Sequence, residues 1–111
     1  NLQINLPHAG GALPGLIGRI DHGWTVRPET RHLAKAPSTY LRRFTYDTIS
    51  HSAPILKFLI SMVGADRIMI GSDYCFDMGY DRPVQVLDEL GLSEADRKLI
   101  LGGTAASILK I

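Results

Sequence analysis

The sequence predicts an α/β protein, with a parallel sheet of three strands and helices packed on it. Three observations carry this. Short strand-like runs alternate with amphipathic helical stretches in the order β-α-β-α-β-α, with extra short helices between them. The third run, Arg67-Ile68-Met69-Ile70-Gly71, is almost continuously apolar, as in a strand covered on both faces. Glycines, 11 of the 111 residues, often stand directly after apolar runs, where turns and close backbone approaches occur.

Leu2 to Leu6 alternates apolar and polar residues and is read as the first strand, ended by Pro7. His8-Ala9-Gly10-Gly11 is a loop. Pro14 suits the first turn of a helix, and Leu13, Ile17, Ile20 and Trp24 form one face of it from about residue 13 to 25. Pro28 stops that helix, a polar connection covers residues 26–37, and Pro37-Ser38 opens a short helix with Leu41. Residues 44–49, aromatic and β-branched, are the second strand. Ser52 is placed as the N-cap of a second amphipathic helix carrying Ile55, Leu56, Leu59, Ile60 and Val63, with Gly64 just past its end. The third strand leads directly into Ser72-Asp73-Tyr74. Residues 75–82 are a long loop. Pro83 opens a helix with Val84, Leu87 and Leu90, closed by Gly91. Ser93 caps a further short helix, Gly102-Gly103 breaks it, and Ala105, Ile108 and Leu109 mark a last helical piece. Three parallel strands leave two open edges, so the pattern is read as part of a larger sheet.

Composition narrows the function classes. Apolar residues at 45% and charged residues at 21% suit one globular domain. Twelve Lys and Arg against 11 Asp and Glu give a net charge of +1, which offers no electrostatic case for nucleic acid or an anionic membrane. No apolar run approaches a membrane span, and no secretory leader pattern is present. Asn1 in place of Met is read as a cut end. The lone Cys75 has no internal partner, so a reducing, cytoplasmic setting is expected.

Chemistry in parallel α/β folds collects at the carboxyl ends of the strands. His8 follows the first strand, Asp47 and His51 the second, and Asp73 the third. From spacing alone each is either a site residue or a satisfied loop or cap residue. Asp47 and His51 either face a pocket mouth or, the reading preferred here, cap the next helix. Tyr74 and Trp24 are read as packing residues. His8-Ala9-Gly10-Gly11 lacks the glycine and lysine spacing of a phosphate loop. The four histidines show no zinc-finger spacing.

Longer motifs are more specific. His8-Ala9-Gly10-Gly11 runs on to Gly18-Arg19-Ile20-Asp21. Pro37-Ser38-x-Tyr40-Leu41-x-Arg43-Phe44 precedes Tyr46-Asp47-Thr48. Val63-Gly64-Ala65-Asp66-Arg67-Ile68-Met69-Ile70-Gly71-Ser72-Asp73-Tyr74 follows, and Gly102-Gly103-Thr104-Ala105-Ala106 lies near the end. Together these resemble the C-terminal third of the metal-dependent amidohydrolase-related decarboxylases (the amidohydrolase 2 family), in the branch of aminocarboxymuconate-semialdehyde decarboxylase.

The resemblance implies strands six to eight of a (β/α)8 TIM barrel, with residues 1–111 as a C-terminal fragment of one such domain. It implies that Asp73 is a metal ligand, zinc being the expected metal, and that His8 moves the proton beside the metal-bound water. Arg19 is implied to bind a substrate carboxylate, acting across a homodimer interface, and Phe76 to line the pocket. The implied activity is non-oxidative decarboxylation of a small unsaturated or aromatic carboxylic acid. The alternatives are hydrolysis or hydration at the same metal site, lactone opening for example, or, for these 111 residues alone, a non-catalytic fragment. The family's His-x-His and a further metal histidine are not in this sequence, and Asp73 alone cannot hold a metal. Two positions depart from the family pattern. Cys75 stands where proline is usual and is read as a small pocket or core side chain. Thr104 stands where asparagine is common, which puts one loop hydrogen bond in doubt.

Overall fold

The structure, a computed structural model, describes residues 2–111. One sheet holds three parallel strands in the order β1 (Asn5–Leu6), β2 (Thr45–Asp47) and β3 (Ile68–Met69). Leu6 lies opposite Tyr46, and Tyr46 opposite Ile68, so the sheet is parallel as the alternating pattern predicts.

Every strand is shorter than the sequence predicts, because a ladder extends only where a neighbour answers it. On the outer edge of β1, Leu2 and Ile4 are 85% and 41% exposed. The Ile4 carbonyl alone continues the pairing there, accepting the Thr45 N–H at 3.0 Å. Beyond β3 the Ile70 N–H leaves the sheet and donates to the Ile100 carbonyl at 2.9 Å.

Helix α1 spans Leu13–Val26, with Pro14 in its first turn. It stops at Arg27, whose extended backbone suits the residue before a proline. Leu13 and Ile17 pack on the core. The Asp21 carboxylate accepts the Ser38 N–H at 2.8 Å and ties α1 to a 3-10 turn at Pro37–Arg43. Trp24 donates its indole N–H to the Leu33 carbonyl at 3.1 Å.

Helix α2 spans Ala53–Val63 and buries Leu56, Leu59 and Val63. Ile55, expected on the same stripe, faces outward instead. Ser52 occupies the N-cap position, but its hydroxyl makes no capping bond. Gly64 ends the helix at φ +81°, and a Cβ there would lie 2.6 Å from an Asp66 carboxylate oxygen, so glycine is required.

The helix opened by Pro83 is of the 3-10 type over Pro83–Glu89, and burial falls on Val86, Leu87 and Leu90 while Val84 faces outward. Helix α3 (Glu94–Lys98) is capped by Ser93, whose Oγ accepts the Asp96 N–H at 3.1 Å. A π-turn at Leu99–Gly103 realises the break predicted at the paired glycines, and α4 (Thr104–Leu109) follows. Thr104 is buried, and its hydroxyl donates to the Ala65 carbonyl at 3.2 Å, so this position keeps a hydrogen bond.

The core gathers Tyr46, Leu56, Leu59, Val63, Ile68, Leu87 and Ile100, all essentially inaccessible. Burial pushes the Tyr46 phenol above its ordinary 10.0, and its O–H donates to the Leu41 carbonyl at 2.9 Å. Two expectations are corrected. Tyr74 is 91% exposed and Cys75 is exposed too, both in the loop after β3. Among the described residues no helix is long and apolar enough to cross a membrane.

Candidate active site

The carboxyl ends of the three strands place the polar residues together. After β1 the chain turns at once, with His8 and Ala9 both in the left-handed region at φ +55° and +53°. Such conformations cost non-glycine residues about 1–2 kcal/mol each and need outside support. That support comes from Asp47 at the end of β2. Its Oδ2 accepts the His8 N–H at 3.1 Å, and its Oδ1 accepts the N–H groups of Ala9 at 2.9 Å and Ile49 at 3.0 Å. The residue is 6% exposed, so its charge is balanced by three oriented amide dipoles. Asp47 therefore does not cap α2, as expected from sequence; it joins two strand ends. Gly10 follows at φ +80°, where a Cβ would lie 2.9 Å from the Tyr46 ring.

After β3 the chain passes Gly71, whose N–H donates to the buried Thr48 hydroxyl at 3.2 Å. A Cβ on Gly71 would meet Ile49 at 2.9 Å and Asp47 at 3.1 Å, so the strand ends approach closely only because this residue is glycine. Asp73 then adopts φ +58°. The loop that begins there closes on itself, because the Tyr80 N–H donates to the Ser72 carbonyl at 2.8 Å.

These two turns set His8 Nε2 3.8 Å from Asp73 Oδ2. That is too long for a direct hydrogen bond and short enough for both groups to act on one bound atom. The imidazole is 62% exposed and the carboxylate 21%, so both reach open space. The space is an open cavity of about 710 Å³, walled by His8, Ile49, His51, Asp73, Phe76, Asp77 and Met78, with Pro7 at its edge.

The structure thus brings together His8, Asp73 and Phe76. It does not bring Arg19 to them. Arg19 lies exposed on α1, away from the cavity wall, and its expected partner Asp21 is engaged with Ser38. From sequence, His51 is expected to cap the next helix, with the pocket mouth as the alternative. It lines the cavity instead, at φ +53°, with its ring stacked on Tyr80 at 4.2 Å between centroids and 23° between planes. The signal for this lay in Tyr80, far along the sequence and inside a loop with no periodicity.

Among the described residues no group of three or more His, Cys, Asp or Glu side chains is arranged to hold a metal ion. The donors present fit part of such a site. Asp73 offers a hard carboxylate oxygen at the cavity wall, and three-ligand sites need further donors from elsewhere.

The match to the family model described as amidohydrolase covers residues 1–111. The 2-amino-3-carboxymuconate-6-semialdehyde decarboxylase of Dictyostelium discoideum is 34% identical over 112 residues, covering 98% of this chain and 31% of that protein. A solved 5-carboxyvanillate decarboxylase from Sphingomonas paucimobilis is 30% identical with a TM-score of 0.83, covering 99% of this chain and 34% of that one. A dihydroxybenzoic acid decarboxylase from Polaromonas sp. JS666, solved with bound manganese and the inhibitor 2-nitroresorcinol, is 28% identical with a TM-score of 0.80, covering 98% of this chain and 34% of that one. The chain spans about a third of the length of these relatives. With its whole length matched by the family model, the chain belongs to the amidohydrolase family.

Proposed function

We propose that this chain forms strands six to eight of a (β/α)8 barrel, and that the protein containing it is a metal-dependent, non-oxidative decarboxylase of a small unsaturated or aromatic carboxylic acid. The observation that carries this reading is the convergence of His8 and Asp73 at the strand ends, 3.8 Å apart on one cavity wall. The names of the relatives support the reaction class.

In this reading Asp73 is one ligand of a divalent metal, either zinc or the manganese held by the Polaromonas relative. When bound, that ion supplies a Lewis acid for an oxygen of the substrate. The other steps belong to side chains. The bond between ring or alkene carbon and carboxylate breaks, and its electron pair stays on that carbon. The carboxylate departs as CO₂, and a proton carried by His8 Nε2 is delivered to the same carbon. The Phe76 ring packs on the apolar body of the substrate. Arg19, outside the cavity of its own protomer, binds a carboxylate in the site of a second copy across a homodimer interface, where its planar fork suits that group.

The test is release of CO₂ by the full-length, metal-loaded protein from a panel of 2,6-dihydroxybenzoate, 5-carboxyvanillate and aminocarboxymuconate semialdehyde. Stoichiometric CO₂ with the decarboxylated product is expected from at least one of them. Addition of water to a substrate with no loss of CO₂ overturns the reading in favour of a hydrolase or hydratase.

A further inference from the structure

We propose that His51 is a specificity-determining residue of this cavity, donating a hydrogen bond to the carboxylate group that the substrate loses. The inference rests on the decarboxylase reading above and names the group that recognises the substrate.

The wall chemistry leads to His51. An anionic substrate enters a cavity whose wall already carries two carboxylates, Asp73 and Asp77, while Ile49, Phe76 and Met78 offer no polar atom. A carboxylate seated against these apolar side chains and beside two like charges gives up hydration without gaining a partner, so a donor side chain beside it is favoured. Among the described wall residues only His8 and His51 have side chains that donate hydrogen bonds. His8 faces Asp73 and is committed to the proton. Arg19 of a second copy reaches a carboxylate from across the interface in the reading above; of this chain's own wall residues, His51 is left for the carboxylate that departs.

His51 is also held ready for that contact. Its backbone is fixed at φ +53°, where a non-glycine residue rests only when its surroundings hold it. One face of its ring is covered by Tyr80. Tyr80 in turn packs on the core and is anchored by its N–H to Ser72, the residue before Asp73. The imidazole is thereby referenced to Asp73 through one closed loop. Neither of its ring nitrogens makes a hydrogen bond among the described residues, so both remain open to a ligand. A polar ring, oriented by stacking and without an internal partner, is arranged for recognition more than for stability.

The experiment uses the full-length, metal-loaded protein with an acid of the panel that the wild type decarboxylates, and the decarboxylated product of that acid as inhibitor (for 2,6-dihydroxybenzoate, resorcinol). H51F retains a stacked ring and lacks the donor; H51Q retains a donor. In H51F, KM for the acid rises about tenfold or more, kcat changes little, and the inhibition constant of the product is unchanged. H51Q recovers most of the loss. An unchanged KM in H51F, or a product inhibition constant that rises in step with KM, overturns the assignment. If H51F does not fold, the ¹⁵N imidazole signals of the wild type decide: the His51 signal, identified by its absence from H51Q, shifts with the acid and not with the product, and the reverse result overturns the assignment. A wild type that releases no CO₂ from any acid of the panel defeats the decarboxylase reading first, so the two failures are distinct.

Discussion

Asp47 and His8 meet across 39 positions of chain, with the Asp47 carboxylate accepting the His8 backbone N–H at 3.1 Å. The contact fixes the turn from which the His8 imidazole reaches the cavity, and it does so from a neighbouring strand. The two carboxylate oxygens divide the work: Oδ2 serves His8, and Oδ1 serves Ala9 and Ile49. Asp47→Asn keeps one acceptor oxygen, which retains the pair of bonds at Oδ1 and turns the amide NH₂ toward His8. The His8 amide is then expected to lose protection from hydrogen exchange while the Ile49 amide keeps it. Asp47→Ala removes both acceptor oxygens, leaves the three amides without this partner, and costs about 3 kcal/mol in a urea melt.

His8 and Asp73 have separable tasks in the proposed reaction. His8→Gln is expected to lower the rate of CO₂ release by about 10²-fold or more with metal content unchanged. Asp73→Ala is expected to lose the metal itself, as read by elemental analysis after gel filtration. Equal metal loss in both variants contradicts the division of roles.

Gly10 and Gly11 both have positive φ, but only Gly10 faces a neighbour, the Tyr46 ring 2.9 Å from a would-be Cβ. Gly11→Ala is expected to cost about 2–3 kcal/mol from backbone strain alone, because φ +58° with ψ −131° is a conformation essentially confined to glycine. Gly10→Ala is expected to cost about 2–3 kcal/mol, because the ring it strikes is locked in the core. Gly10→Ala in a Tyr46→Leu background, where the struck ring is gone, is expected to lose part of its cost, and the change in melting temperature between the two backgrounds measures that contact.

Tyr46 gives a pH dependence with a definite sign. Burial raises its phenol above 10.0, so the folded protein keeps the proton to higher pH than the unfolded chain does. Above pH 10 the unfolded state binds fewer protons at this site, and stability falls until the raised folded value is passed; below pH 10 the contribution is complete. Tyr46→Phe removes this dependence. Its deficit of about 1 kcal/mol at neutral pH, from the lost bond to the Leu41 carbonyl, is expected to shrink between pH 8 and pH 10.5. The check is a pair of denaturation curves at those two pH values.

What could be seen in the sequence followed the range of the forces involved. The parallel order, α1, α2, Gly64 and the Ser93 cap all rest on patterns within a few turns of chain, and each was legible. So were His8, Asp73 and Phe76 as neighbours, through motifs of a resembling family. For Asp47 and His51 the preferred cap role fails for one shared reason. A polar residue ahead of a helix has the local pattern of a cap, whereas the partners that engage these two, the amides of His8 and Ala9 and the ring of Tyr80, lie far away in sequence. The strands were overestimated because apolar alternation marks what is able to pair, while the ladder also needs a neighbour. The sequence marks Tyr74 for packing and Cys75 for a pocket or core position, although a loop exposes much of what it carries.

The bond from the Tyr80 N–H to the Ser72 carbonyl makes the segment between them a cassette. Its stem carries Asp73 and the Tyr80 support for His51, while its tip carries Phe76, Asp77 and Met78 into the cavity. Changes at the tip alter the shape and polarity offered to a substrate without disturbing the stem. In the proposed decarboxylase, a lineage can therefore exchange one acid for another by drift in residues 76–78 while its proton-handling groups stay in place. A library confined to those positions is the direct route to new specificities in the laboratory.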